Sequence, residues 1–156
     1  MADYFTNFSL LLPFKDDTEQ KYAFDLATKA ASHRWQDSET PAPDDLPAGF
    51  ENVLEDWSFE TDADGETNIW LHSSSGGIEA VCVFLQHLLR KFNPGGRVEF
   101  EWSHDCSKPR LDAYGGGAAV ITAHKITAMN TSEWLRQQRA ADEADYSQTA
   151  TPKEVR

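Results

Sequence analysis

The segment from Ser103 to Gly117 groups more chemically reactive side chains than any other part of the sequence. His104 and Cys106 lie two positions apart, and the cations Lys108 and Arg110 follow. A thiol beside a base and two cations favours the thiolate, which is the nucleophilic form of cysteine. Catalytic partners usually come from separate segments, however. We therefore predict no catalytic residue and keep Cys106 and His104 as the candidates of an alternative, thiol-dependent enzyme.

Three consecutive glycines end the same segment, and two readings of them are open. Their backbone N–H groups could bind a phosphate or carboxylate, with nearby cations completing the site. The candidate ligand-binding or anion-binding residues are then Lys108, Arg110, Gly115, Gly116 and Gly117. Phosphate-binding glycines usually lie between a strand and a helix, whereas here a strand is predicted next. We favour the structural alternative, in which the backbone forms a bulge or lies against another strand or an aromatic ring.

Metal ligands in a sequence are expected as spaced pairs, such as Cys-x2-Cys or His-x3-His. The adjacent residues His104, Asp105 and Cys106 are of ligand types, but the sequence has no second pair. The other histidines are scattered, at His33, His72, His87 and His124. We therefore expect no metal site and no cofactor.

The net charge of −12 is unevenly distributed along the chain. No lysine or arginine occurs between Trp35 and Leu89. An acidic surface repels phosphate backbones and attracts basic partners, so we expect no direct binding of nucleic acid. The candidate partner-binding residues in this span are Glu55, Asp56, Glu60, Asp62, Asp64 and Glu66. The alternative is that these charges only keep a small protein soluble.

The elements that position these residues follow from hydrophobic periodicity. Alternation predicts a first strand over Tyr4 to Phe14, and caps at Asp16 to Thr18 predict a helix that runs to about His33. Asp64-Gly65 predicts a hairpin turn. Its strands are expected over Trp57 to Thr61, with Phe50 as an alternative start, and over Thr67 to Leu71.

Within that hairpin we expect Glu60 on the outer face with Ser58, and Asp62, Asp64 and Glu66 at the tip. Further along, the apolar stripe from Ile78 to Phe92 predicts a second helix. Residues 98–103 and 118–123 read as a strand pair, and a short strand is possible at 125–128. Asn130 with Glu133 predicts a capped, short C-terminal helix.

This order of elements indicates an α+β fold, an antiparallel sheet with two main helices on one face. We expect a ferredoxin-like (βαββαβ) arrangement plus an extra strand and the short C-terminal helix. Residues 1–139 would form one domain, with an exposed acidic loop at 35–49 and a disordered tail at 140–156. The predicted core cluster contains Leu85, Leu89, Phe100 and Ile121.

No apolar run approaches the ~20 residues that a helix needs to cross a bilayer. We therefore expect a soluble, cytoplasmic protein without membrane contact. Its two cysteines, Cys82 and Cys106, are expected to be free thiols, because two are too few for a disulfide framework. The oligomeric state does not follow from the sequence.

One block of the sequence resembles a known group of proteins. Cys106-Ser107-Lys108-Pro109-Arg110, followed by Tyr114 to Ala118 and Val120 to Ala123, resembles a family of small uncharacterised proteins of bacteria, phages and other mobile elements. The resemblance covers Ile69 to Leu135 and implies no established activity. It implies a setting in which small proteins often inhibit or modulate host machinery.

Together with the acidic span, this setting favours an acidic, non-enzymatic binding protein. We expect an inhibitor of a host nucleic-acid-handling defence complex that acts by nucleic-acid mimicry, with a basic protein or a nucleic-acid-binding complex as partner. Two alternatives remain. One is a small-ligand binder or thiol-dependent enzyme that uses the loop at 103–117, and the other is a structural or accessory domain.

Overall fold

Six strands form one sheet in the computed structural model, which describes residues 1–34 and 44–149. In chain order they are β1 (Tyr4–Pro13), β2 (Glu60–Asp64), β3 (Asn68–Ser73), β4 (Arg97–Cys106), β5 (Gly115–Thr122) and β6 (Ile126–Asn130). Their order across the sheet is β2-β3-β1-β4-β5-β6, and every neighbouring pair is antiparallel. The first strand of the chain therefore lies inside the sheet, while β2 and β6 form its edges.

Three helices accompany the sheet: α1 (Asp17–His33), α2 (Ile78–Phe92) and α3 (Thr131–Thr149), with a short 3-10 helix at Phe50–Asn52. The carboxylate of Asp16 accepts a hydrogen bond from the Glu19 N–H at 3.0 Å and so caps α1. Asn130 caps α3 in the same way, through the Glu133 N–H at 2.8 Å. Such caps satisfy N–H groups that lack a partner within the helix. The predicted α+β class, antiparallel sheet and cap positions are confirmed.

α1 and α2 pack on the same face of the sheet, and their buried side chains join those of the strands in one apolar cluster. Leu85 and Leu89 of α2, Phe100 of β4 and Ile121 of β5 all belong to it and are at most 6% exposed. The predicted core cluster is therefore confirmed. Burial of this kind provides most of the stabilisation of a small domain.

The segment before β2 differs from the prediction of an early strand. Phe50 begins the 3-10 helix, and turns follow in which the Val53 N–H donates to the Phe50 carbonyl and the Trp57 N–H to the Leu54 carbonyl. The rings of Phe50 and Trp57 are nonetheless buried, and Trp57 lies 5.6 Å from the ring of Phe84 on α2. Apolar residues here fill the core from irregular backbone, so β2 begins only at Glu60.

The C-terminal helix also differs from its prediction. α3 continues to Thr149 instead of ending near Arg139, so residues 140–149 are helical where the sequence predicts disorder. None of its residues is buried, which is why no apolar stripe marks it in the sequence. The alanines, Glu143 and Gln148 in this stretch have high intrinsic helix propensity. Residues 150–156 of the predicted tail and 35–43 of the predicted acidic loop lie outside the described residues.

The strand order differs from that of a four-stranded ferredoxin-like sheet, because β5 and β6 extend the sheet beyond β4. The possible short strand at 125–128 is β6. In the part of the chain that the structure describes, no helix is long and apolar enough to cross a membrane.

Candidate functional site

The sheet face that α1 and α2 do not cover, called the open face below, carries the acidic side chains of the strands. Its carboxylates are Glu60, Asp62 and Asp64 on β2 and Glu99, Glu101 and Asp105 on β4. Each alternates with a residue on the helix side, such as Thr61, which is opposite Leu71, or Phe100. Arg97 is the only lysine or arginine in the six strands, and its Nε lies 2.9 Å from Glu99 Oε1. The open face therefore has a strong excess of negative charge.

These carboxylates form two columns with an apolar strip between them. β2 and β4 are three strand spacings apart, which corresponds to about 14 Å, and residues on one face of a strand repeat about every 6.6 Å. On β4, Ser103 lies between Glu101 and Asp105. The strip on β1 and β3 exposes Leu11 by 51%, Trp70 by 42% and Phe5 by 38%. Next to it, a shallow groove of about 610 Å³ includes Glu101 and Met129 in its lining. The open face thus combines charge with aromatic and aliphatic contact area.

At the β2 edge, two carboxylates and an imidazole meet. The pairing register puts Glu60 opposite His72 and Asp62 opposite Trp70. His72 Nε2 lies 2.6 Å from Asp62 Oδ2 and 3.8 Å from Glu60 Oε2. The imidazole stacks on the Trp70 indole at 3.8 Å between ring centroids, and Trp70 Nε1 donates to Ser9 Oγ at 2.8 Å. The stacked indole, itself held by Ser9, therefore restricts the orientation of the His72 imidazole.

The structure separates the six predicted partner-binding residues into two groups. Glu60 lies on the outer face as expected, and Asp62 and Asp64 share that face, because residues two apart on a strand point to the same side. Asp62 was expected at the hairpin tip and is instead a strand residue opposite Trp70. Glu66 is exposed in the hairpin turn, and Glu55 is exposed in the turn before β2.

Asp56 has a structural task instead. Its Oδ2 accepts hydrogen bonds from the N–H groups of Glu79 at 3.1 Å and Ala80 at 3.3 Å. These are first-turn groups of α2, whose N-cap residue, Gly77, has no side chain to bond them. A carboxylate at a helix N-terminus also interacts favourably with the helix dipole.

His104 and Cys106 lie on the same side of β4, but the imidazole is engaged elsewhere. His104 Nδ1 is 2.9 Å from Thr6 Oγ1 on β1. Cys106 is partly buried, and its carbonyl accepts a hydrogen bond from the Tyr114 hydroxyl at 3.3 Å. Hydrogen bonding in this structure therefore links His104 to the sheet and not to the thiol.

The three glycines are strand residues of β5 with tight surroundings. A Cβ on Gly116 would collide with the Trp102 carbonyl oxygen, and a Cβ on Gly117 would collide with the Trp102 ring and the Met129 carbonyl oxygen. The Gly116 N–H donates to Thr131 Oγ1 at 3.0 Å. Close packing against a neighbouring strand and an aromatic ring thus accounts for the glycines. Lys108 and Arg110 are exposed in the β4–β5 connection, and anion binding there stays a prediction.

Three groups on the helix side have shifted pKa values, and one of them is the Tyr22 hydroxyl, whose pKa burial raises. Burial raises the pKa of the Cys82 thiol to about 11, with further contributions from Glu79 and Asp56. Burial lowers the pKa of His87, and the nearby Lys91 and Arg90 lower it further. The main cause of all three shifts is the low polarity of the core region, and each shift favours the neutral form of its group.

The group of Glu60, Asp62 and His72 is absent from the sequence-based candidates as a possible ligand set. Local spacing could not reveal it, because the residues meet across two strands. The Asp64-Gly65 signal indicated a hairpin but not its register: the observed turn is centred on Glu66, and this brings position 72 opposite position 60.

No model of a known protein family matches this chain, and comparisons with curated proteins and with solved structures found no match. The resemblance to mobile-element proteins therefore stays an expectation, and function has to be argued from the geometry of the open face.

Proposed function

We propose that the protein is an acidic, non-enzymatic binding protein whose open face occupies the basic groove of a nucleic-acid-binding complex. One observation carries the proposal. All six carboxylates of the strands lie on one sheet face that the two core helices leave free, and the single arginine in the strands is already paired with Glu99. A groove lined by lysine and arginine would be attracted to such a surface.

The spacing of the charges supports mimicry of a duplex. The two columns are about 14 Å apart by strand spacing, which is close to the ~12 Å width of the major groove between two phosphate rows. Within a column the charges are sparser than phosphates, because strand side chains on one face repeat about every 6.6 Å. Because the distance between the columns resembles the distance between phosphate rows, a groove that binds phosphates with several cations could contact both columns at once.

The apolar strip between the columns adds affinity that charge alone does not give. Exposed Trp70, Leu11 and Phe5 lie on β3 and β1. Aromatic residues near the centre of an interface often contribute most of its binding energy, while charges at its periphery mainly steer association.

The resemblance noted in the sequence supports a more specific setting. A protein of a phage or other mobile element with such a face would inhibit a host nucleic-acid-handling defence complex. The alternative activities of the loop at 103–117 have less support, because His104 bonds to Thr6 and the glycines have a packing role.

We also propose that β1 to β4 with α1 and α2 constitute a ferredoxin-like βαββαβ unit. The support is the partial order β2-β3-β1-β4 with antiparallel neighbours and two helices on one face. In this interpretation β5, β6 and α3 are additions at one side.

Capture from host lysate, with added duplex DNA as competitor, tests the proposed function. The wild-type chain should capture nucleic-acid-binding proteins that DNA displaces, and less of them as salt rises. Two triple variants each remove three open-face charges: Glu60→Gln with Asp62→Asn and Asp64→Asn, and Glu99→Gln with Glu101→Gln and Asp105→Asn. Both should lose capture.

A matched control removes the same number of charges from α3, through Asp142→Asn, Glu143→Gln and Asp145→Asn, which are exposed. This variant should capture as well as wild type. Equal loss in all three variants would show that bulk charge, and not the open face, is responsible. If the wild-type chain captures no protein that DNA displaces, the proposal fails and the acidic residues serve only solubility.

A further inference from the structure

Glu60, Asp62 and His72 each offer one potential metal-ligand atom, and the three atoms lie within 4.8 Å of one another. Among the described residues, no other three histidine, cysteine or acidic side chains form such a group. All three residues belong to one hairpin and point to the open face. Strands hold side chains more firmly than loops, which favours a defined site.

The distances suit a cation with short bonds. Zinc binds imidazole nitrogen and carboxylate oxygen at about 2.0–2.2 Å in a tetrahedron, so two of its ligand atoms are about 3.3 Å apart. His72 Nε2 lies 2.6 Å from one carboxylate and 3.8 Å from the other, which brackets this value. Small rotations of the exposed carboxylates would bring an oxygen of each within bonding distance of a zinc ion bound to His72 Nε2.

No lysine or arginine of the described residues balances the charges of Glu60 and Asp62. In the described chain their ion-pair contacts are with His72 alone, and no lysine or arginine occurs between Trp35 and Leu89. Two carboxylates beside an imidazole therefore leave an uncompensated negative charge that one divalent cation would neutralise. An imidazole nitrogen in the ligand set favours zinc and similar transition metals over magnesium and calcium.

The surroundings hold the imidazole in place and leave room for solvent. His72 is stacked on Trp70, which Ser9 fixes through its hydroxyl. This packing restricts the orientation of the imidazole, which favours a defined binding geometry. Beside the group, a cavity of about 220 Å³ is lined by polar residues: Ser58, Glu60, His72, Ser73, Ser74 and Ser75. Water can therefore complete the coordination of a cation here.

We propose that Glu60, Asp62 and His72 bind one divalent transition-metal cation of the zinc type, with water in the remaining position. This inference does not depend on the proposed partner. It concerns a site that can be filled in the isolated chain.

Titration calorimetry of the full chain with Zn²⁺ alone tests the site. A Cys106→Ser background removes the partly buried thiol as a competing ligand. We expect one Zn²⁺ per chain, and a loss of affinity of about tenfold or more in His72→Ala and, separately, in Asp62→Asn. The matched control is His124→Ala, an exposed histidine outside the group, which should bind as the background does.

A second readout uses the stacked indole. Cu²⁺ at the site should quench the fluorescence of Trp70, and Trp70→Phe should remove that quenching while one Zn²⁺ still binds. Circular dichroism checks that each variant is folded. The proposal is overturned if the background chain takes up no Zn²⁺ below about 1 mM, a concentration that corresponds to roughly 4 kcal/mol of binding. It is equally overturned if folded His72→Ala and Asp62→Asn bind Zn²⁺ as tightly as the His124→Ala control.

Discussion

The two faces of the sheet are made from alternating residues of the same strands, yet they differ in every physical respect. On β3, Ile69 and Leu71 are fully buried against the helices, whereas Trp70 between them is 42% exposed. On β4, Phe100 is 5% exposed, and the glutamates on either side of it face solvent. Substitutions on the covered face should therefore lower stability, whereas substitutions on the open face should affect the proposed binding and spare stability.

The sharpest test exchanges the same residue type on the two faces. Leu85→Ala on the covered side should lower the free energy of unfolding by about 2–5 kcal/mol, because it leaves a cavity in the core. Leu11→Ala on the open face, where the side chain is 51% exposed, should change it by about 0.5 kcal/mol or less. Urea denaturation measures both. Similar losses for the two leucines would contradict the division of roles.

A second test adds volume between β4 and β5. Gly117→Ala should cost about 1–3 kcal/mol, because the new methyl group would meet the Trp102 ring and the Met129 carbonyl oxygen. If the indole is the obstacle, the double variant with Trp102→Leu should be less destabilised than the sum of the two single variants. Strict additivity in the thermal or urea unfolding data would show that the glycine is not required by Trp102.

A third test concerns Asp56, which was a partner-binding candidate and instead caps α2. Asp56→Ala should lower the free energy of unfolding by about 0.5–2 kcal/mol, since two helix N–H groups lose their acceptor. The neighbouring Glu55→Ala is the control, and this exposed side chain should contribute at most about 0.5 kcal/mol. If the two variants unfold alike, the cap does not stabilise α2.

The smallest effect is expected from pH, through His87 in the helix layer. Its Nε2 lies 2.8 Å from the Tyr22 hydroxyl, and burial, Lys91 and Arg90 lower its pKa below the ordinary value of 6.5. The unfolded chain therefore binds a proton more readily than the folded chain, and stability rises with pH. Above pH 6.5 the titration of His87 does not lower the free energy of unfolding. As pH falls below 6.5, it lowers that free energy progressively.

Melting temperatures of wild type and His87→Gln between about pH 8 and pH 5 test this expectation, because 6.5 is the ordinary histidine value. Glutamine keeps a polar group near Tyr22 but does not titrate. The difference between the two curves should be constant above pH 6.5 and should change in favour of the variant at lower pH. Parallel curves over the whole range would show that His87 titrates equally in both states.

Local features of the fold followed from the sequence. The caps at Asp16 and Asn130 and the apolar stripe that contains Leu85 lie within single elements, so periodicity and side-chain chemistry were sufficient to predict them. Residues 140–149 were missed because their helix buries nothing and leaves no periodic signal. The turns from Phe50 to Trp57 were missed because buried aromatic rings resemble a strand in sequence.

Features that depend on pairing between distant segments followed less well. The alternation of acidic residues along β2 was visible in the sequence. That His72 lies beside Glu60 and Asp62 depends on the pairing register with β3, which the sequence did not reveal. The close approach of another strand and an aromatic ring to the glycines of β5 was expected, although the sequence could not identify Trp102 as their neighbour. Cross-strand contacts of this type are set by tertiary structure and not by local propensity.

The internal position of β1 has a consequence for how the chain reaches its fold. β1 is made first, but it pairs with β3 on one side and with β4 on the other, and the Thr6–His104 contact spans 98 residues. Contacts between such distant segments slow folding, because a long loop must close before they form. During synthesis β1 therefore stays unpaired until β3 emerges, and one of its edges stays open until β4 follows. The sheet is completed late, and in a chain that stops after α2 the strand β1 would be an exposed edge strand.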